Sequence, residues 1–143
     1  MQVQLAISSP IEVRDAVEGY DTWSAYCRAV VEISGRTEIR FDRLVIKDDV
    51  MVVANAVALV IFLSKLIDSQ YSALEVHADV RAYGSRENDD FLIFNIDNDE
   101  KIDTISEESV KIMIRNVDRF FEDTFRSKHP DLCDFLVGHL FLA

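Results

Sequence analysis

An uninterrupted apolar run in the middle of the chain constrains its fold more than any other feature. The run Val50–Leu63 is fourteen residues long and has one polar member, Asn55. A helix that spans a bilayer needs about 20 consecutive apolar residues, so this run is too short to cross a membrane. Asp48 or Asp49 can cap a helix that continues to Asp68. We therefore predict a helix that is buried inside the protein or at a subunit interface.

Alternating apolar residues before this run predict strands. Residues 2–8 form a candidate strand, and a capping-box pattern behind it predicts a short helix that ends at Gly19. Residues 27–34 and 37–41 alternate on either side of Gly35-Arg36, which predicts a β-hairpin.

Two further strands are predicted after the run. Apolar residues alternate with mostly polar ones along Leu74–Tyr83, which is typical of an antiparallel strand with one face in water. The polar loop Gly84–Asp90 separates this strand from an apolar strand at Phe91–Ile96. The polar residues Asp97–Glu100 then predict a turn.

The strongest helix signal lies near the C-terminus. Ser106 is a suitable N-cap, acidic residues follow it in the first turn, and apolar residues then recur with helical spacing as far as Phe125. Pro130 ends this helix, and residues 131–142 predict a short apolar helix.

The order of these elements predicts the fold class. That order is roughly β-(α)-β-β-α-β-β-α-α, and a length of 143 residues fits one domain. We expect a single α+β domain over residues 1–143. Its architecture is predicted to be a single antiparallel sheet with the helices packed on one face.

Acidic residues dominate the charge of the chain. The formal net charge is −11 and the isoelectric point is near 4.6. Nucleic acids and anionic membranes repel such a surface, so we expect neither as a partner. Nine carboxylates and one cation, Lys101, lie between Glu87 and Glu108. A charge this concentrated favours association with a basic protein partner.

The predicted recognition patch combines acidic residues of this segment with two aromatic anchors. It comprises Glu87, Asp89, Asp90, Asp97, Asp99, Glu100, Asp103, Tyr83 and Phe91. Aromatic side chains carry much of the binding energy at protein interfaces. A solvated surface that only keeps the protein soluble is the alternative interpretation of the same charges.

The sequence contains one incomplete metal pattern. Asp97, Asp99 and Glu108 match positions one, three and twelve of a calcium-binding loop. Lys101 and Ile102 stand where that loop needs a ligand and a glycine, so we predict no metal site. No glycine-rich loop follows a strand, and no pair of carboxylates is singled out for acid–base chemistry. We therefore predict a non-enzymatic protein without cofactors. An uncharacterised enzyme is a weaker alternative.

The cysteines and the N-terminal residues indicate the cellular compartment of the protein. Cys27 and Cys133 lie far apart, and the apolar neighbours of Cys133 predict a buried, inert thiol, although His129 makes a metal or nucleophilic site conceivable. Two free thiols are typical of a reducing compartment. The first ten residues lack the pattern of a signal peptide, so we expect a cytoplasmic protein.

Two resemblances suggest what such a protein does. Its size, acidity and α+β order are similar to those of the small immunity proteins that neutralise bacterial toxins, many of which are basic nucleases. That resemblance implies an inhibitor that covers the surface of a basic toxin.

The second resemblance lies in the layout from Cys27 to Lys128, which resembles that of type III secretion chaperones. The strand-to-helix passage IDTISEESVKIMIRNVDRFFEDTF looks like the C-terminal passage of those proteins. This resemblance implies a homodimer formed through Val50–Leu63 that binds an extended segment of an effector.

Overall fold

The computed structural model describes residues 4–7, 36–48, 52–76, 79–127, 130, 133, 134 and 137. The elements in these ranges are β1 (Gln4–Ile7), β2 (Thr37–Arg40), β3 (Val45–Asp48), α1 (Val52–Ser69), β4 (Tyr71–Val76), β5 (Asp79–Glu87), β6 (Asp90–Asn95), β7 (Lys101–Ser106) and α2 (Glu107–Phe125). The last four described positions are helical, and three of them, Cys133, Asp134 and Val137, lie where the sequence predicts the C-terminal helix.

The strands confirm the α+β class and the antiparallel pairing. Within the described residues they form two sheets, in the orders β1-β2-β3 and β4-β5-β6-β7, so the prediction of one continuous sheet is wrong. The sheets meet at β7, where the backbone N–H of Arg43 donates to the carbonyl of Ile102 at 3.0 Å. The break arises because α1 intervenes between β3 and β4 and packs against strands of both sheets.

The N-terminal hairpin differs from its prediction. Strand β1 confirms the predicted strand at residues 2–8 and pairs with β2. Strand β2 pairs with β3 through a turn that the N–H of Phe41 closes by donating to the carbonyl of Leu44 at 2.8 Å. The predicted partner strand at 27–34 and the short helix ending at Gly19 lie outside the described residues.

The predicted strand Leu74–Tyr83 consists of parts of two strands. Val76 pairs with Asp79, so the chain reverses between β4 and β5. The intervening residues are His77 and Ala78, and neither is a residue type that marks a turn. Strand β5 also continues through most of the predicted polar loop, and β7 is an additional strand.

Helix α1 confirms the prediction of a buried helix. Nearly every residue from Asn55 to Leu63 is buried within the single chain, and only Ala58 and Ile61 are partly accessible. Asn55 donates from Nδ2 to the Thr37 hydroxyl at 2.9 Å, which satisfies this buried amide. The homodimer that the chaperone resemblance implies through Val50–Leu63 stays a prediction, because the side chains of residues 50–54 lie outside the description. Among the described helices, none has the length and apolar character needed to cross a membrane.

Helix α2 begins at the predicted cap. The hydroxyl of Ser106 accepts a hydrogen bond from the backbone N–H of Ser109 at 3.1 Å. The helix packs against α1 and β7, and α1 packs against β4 and β5. Both helices bury the inner face of the four-stranded sheet, where the α1 side chain Leu66 comes so close to Gly84 that a Cβ atom there would lie 2.7 Å from Leu66 Cδ2. The opposite, outer face of this sheet therefore points away from α1 and α2.

Candidate partner-binding surface

Strand β6 separates the predicted acidic patch into two groups. The first acidic turn, Glu87–Asp90, lies at the start of β6, and the second acidic turn, Asp97–Glu100, follows its end. A strand of this length holds its ends about 17 Å apart, because each residue advances the chain by about 3.4 Å. Asp90 pairs with Ser106, so the first acidic turn lies beside the start of α2. The nine carboxylates of this segment therefore do not form one cluster.

Amide side chains build the second acidic turn. Asn95 Oδ1 accepts from the N–H of Asp97, and Asn98 Oδ1 accepts from the N–H of Glu100, each at 2.9 Å. Asp99 has a φ of 57°, in the left-handed region that Asp and Asn tolerate better than most residues. Because the asparagines satisfy the backbone, the carboxylates of this turn remain exposed for other interactions.

Two residues of the predicted patch are buried and are not available to a partner. Phe91 is 0% exposed and lies in the core, with the Arg86 guanidinium 5.3 Å from its ring centre. Asp103 is 5% exposed, and its carboxylate accepts from the backbone N–H groups of Asp42 and Thr104. Burial raises the pKa of Asp103, although these two hydrogen bonds oppose the increase. Asp103 thus holds the β2–β3 turn against β7.

An aromatic row crosses the outer face of the four-stranded sheet. We define it as Tyr71 on β4, Tyr83 on β5 and Phe94 on β6. Tyr83 and Phe94 are directly opposed in register and stack with ring centres 5.1 Å apart, and the Tyr71 ring centre lies 6.2 Å from that of Tyr83. Tyr71 is 58% exposed and the other two rings are partly exposed. Of these rings, only Tyr83 belongs to the predicted patch.

A hydrogen bond joins the aromatic row to the second acidic turn. The Tyr83 hydroxyl donates to Asp99 Oδ1 at 2.9 Å. This bond, together with partial burial and the charge of Asp99, raises the pKa of Tyr83. The structure therefore brings together Tyr83 and Asp99, two residues of the predicted patch, and places Tyr71 and Phe94 beside Tyr83.

The first acidic turn has a different environment. Arg86 lies on β5, the strand that leads into this turn. Its NH1 nitrogen is 3.7 Å from the Glu107 carboxylate, and its guanidinium lies over the Phe91 ring. A cation of the chain itself thus occupies this end of the sheet. Among the described residues, the second acidic turn has one ion pair, of 3.7 Å between Glu100 and Arg43. Both side chains are well exposed, so this pair neutralises little of the turn's negative charge.

The geometry of these elements also bears on the calcium-loop and thiol interpretations. Asp97 precedes β7 and Glu108 follows it, so the extended strand prevents the two carboxylates from closing a twelve-residue loop. In the described part of the chain, no three His, Cys, Asp or Glu side chains are placed to hold a metal ion. Cys133 is buried as predicted, its Sγ contacts the Phe121 carbonyl at 3.6 Å, and burial raises its pKa to about 11.

The surface therefore consists of an exposed aromatic row with a carboxylate-rich turn bonded to one end. Such a surface can bind a cationic group through ring faces and carboxylates together. Comparisons of the chain with protein-family models, with curated proteins and with solved structures found no match.

Proposed function

We propose that this chain is a cytoplasmic, non-enzymatic inhibitor that neutralises a basic toxin, as an immunity protein does, by covering part of the toxin's surface. The observation that carries the proposal is the Tyr83–Asp99 hydrogen bond, which joins an exposed aromatic row to an acidic turn. Aromatic anchors supply binding energy at interfaces, and the neighbouring carboxylates select a basic partner.

Charge supports this proposal over the whole chain. The net charge of −11 produces a negative field that speeds encounter with a basic protein, by about 10-fold or more at low salt. From residue 71 to residue 101, which covers β4 to β6 and both acidic turns, the chain carries eight acidic residues and three basic ones. This part of the chain, which also contains the aromatic row, therefore has a formal net charge of −5.

A comparison of two charge-reversed variants tests the proposal. Asp97→Lys with Asp99→Lys changes the second acidic turn, and Asp68→Lys with Asp123→Lys makes the same change in net charge on exposed helical sites. Each variant and the wild type would be used to capture proteins from the native host, with identification by mass spectrometry. We expect a basic protein that the wild type and the helical variant retain and that the turn variant loses.

Kinetics with that captured protein then provide the quantitative test. We expect the turn variant to associate about tenfold more slowly at low salt and with a weaker dependence on salt concentration. Toxicity of the partner on co-expression should be suppressed by the wild type and by the helical variant. Equal protection by the turn variant would contradict the proposal.

A further inference from the structure

The aromatic row and Asp99 together have the chemistry of a binding site for one arginine side chain, which we call the arginine seat. Resting on the proposed function, we propose that an arginine on the surface of the basic partner stacks its guanidinium on the aromatic row and donates hydrogen bonds to Asp99. Asp99 Oδ1 accepts from Tyr83, and within the described residues Oδ2 accepts no hydrogen bond. One carboxylate oxygen is therefore available beside the rings.

Arginine fits this arrangement better than lysine does. The guanidinium is planar and weakly hydrated, so it can lie against a ring and donate N–H groups to a carboxylate at the same time. A lysine ammonium is a compact, strongly hydrated charge and must lose more hydration to reach the same position. The Tyr83 and Phe94 rings stack on each other 16° from parallel, so the guanidinium has to lie against a ring face that this stacking leaves open.

The chain itself uses this combination at the other end of the same strands. Arg86 places its guanidinium 5.3 Å from the Phe91 ring centre and pairs with Glu107. That site contains a ring, a carboxylate and a guanidinium. The aromatic row and Asp99 supply a ring and a carboxylate, and no guanidinium of the described residues lies over these rings. A partner would complete the set.

Lys101 opposes this binding and provides an internal check. It pairs with Phe94 across β6 and β7 and its side chain is exposed, so it brings a like charge close to an incoming arginine. Replacing Lys101 with Gln removes that repulsion. We expect the Lys101→Gln variant to bind an arginine probe more tightly, by about twofold to threefold.

Blocked peptides that contain three arginines spaced by glycine, and matched peptides that contain lysine, are suitable probes. Binding would be followed by NMR of the full-length protein, through the ring signals of Tyr71 and Tyr83. We expect about fivefold tighter binding of the arginine peptide than of the lysine peptide. Tyr71→Leu removes one of the three rings and should reduce that preference, whereas Tyr71→Phe, which keeps the ring, should retain it. Asp99→Asn keeps an acceptor for Tyr83 and should weaken both peptides without unfolding the turn.

The outcomes separate this inference from the proposed function. Equal affinity of the two peptides, or an unchanged preference in Tyr71→Leu, would overturn the arginine seat. If the charge-reversed turn loses the captured partner while Tyr71→Leu retains it at full affinity, the inhibitor function stands and the seat is wrong. If the partner is lost in both variants and retained by Tyr71→Phe, both are supported.

Discussion

Asp118 is a buried carboxylate on α2 whose replacement tests the packing of this helix. It is 8% exposed, and neither of its oxygens has a hydrogen-bond partner among the described residues. Arg126, two turns further along the chain, is bonded to Glu122 at 2.8 Å and to Asp134. Burial, with a smaller contribution from the charge of Glu122, raises the pKa of Asp118 from 3.8 to about 6.

This pKa difference sets the size and sign of a pH effect on stability. Between pH 3.8 and pH 6 the folded protein holds the Asp118 proton more tightly than the unfolded chain does, so stability falls as the pH rises through this window. One pKa unit corresponds to about 1.4 kcal/mol, so the full penalty above pH 7 is about 3 kcal/mol. About 1.4 kcal/mol of it develops between pH 5 and pH 8.

The Asp118→Asn substitution removes the titration while keeping the shape of the side chain. We expect the free energy of unfolding of the variant, relative to wild type, to increase by about 1.4 kcal/mol from pH 5 to pH 8. Urea unfolding followed by circular dichroism at both pH values measures this change. The buried amide also lacks a partner, which lowers stability at both pH values equally and does not affect the difference.

An exposed aspartate on the same helix provides the control. Asp123→Asn removes a carboxylate at an exposed position of α2 and is measured at the same two pH values. A pH-independent difference between Asp118→Asn and wild type would refute the reasoning, because it would mean that the carboxylate is solvated or paired with a cation.

Two other substitutions test the core. Gly84→Ala should lower the free energy of unfolding by about 1–2 kcal/mol, because the new Cβ would lie 2.7 Å from Leu66 Cδ2 and 2.9 Å from Ile93 Cδ1. Urea unfolding measures this change, with Ser85→Ala on the partly exposed outer face as the control. An unchanged stability would show that the core adjusts freely. In a Cys27→Ser background, Cys133 should react with iodoacetamide at pH 8 about a hundredfold more slowly in the folded protein than in urea. The reason is that a pKa of about 11 leaves little of this thiol as the reactive thiolate. Equal rates in the folded and unfolded protein would contradict the burial of Cys133.

The helices were predictable because their signals are local. The run Val50–Leu63 has too few polar residues for any exposed element, and α1 is largely buried from Asn55 to Leu63. Ser106 and the residues after it contain a cap, a dipole-compatible first turn and a helical apolar stripe, and α2 starts there. Each of these signals depends on residues within one or two turns of each other, which the sequence displays directly.

The faces of the strands were harder to predict. The segment Phe91–Ile96 is apolar at nearly every position, so alternation does not indicate which side faces the core. The structure buries Phe91 and Ile93 and leaves Phe94 on the outer face. A shift of one residue would exchange these roles, so the pattern alone does not distinguish Phe91, the predicted anchor, from Phe94, which is the one on the outer face.

The sequence by itself determined the α+β class, the buried central helix, the capped last helix and the acidity of the chain. The sequence also predicted an acidic loop and an acidic turn on either side of an apolar strand. Only the tertiary structure decided that these two groups do not come together and that one of them meets an aromatic row. The physical reason is that an extended strand separates residues that are close in sequence. Antiparallel pairing then places Tyr71, Tyr83 and Phe94 side by side, although they lie far apart along the chain.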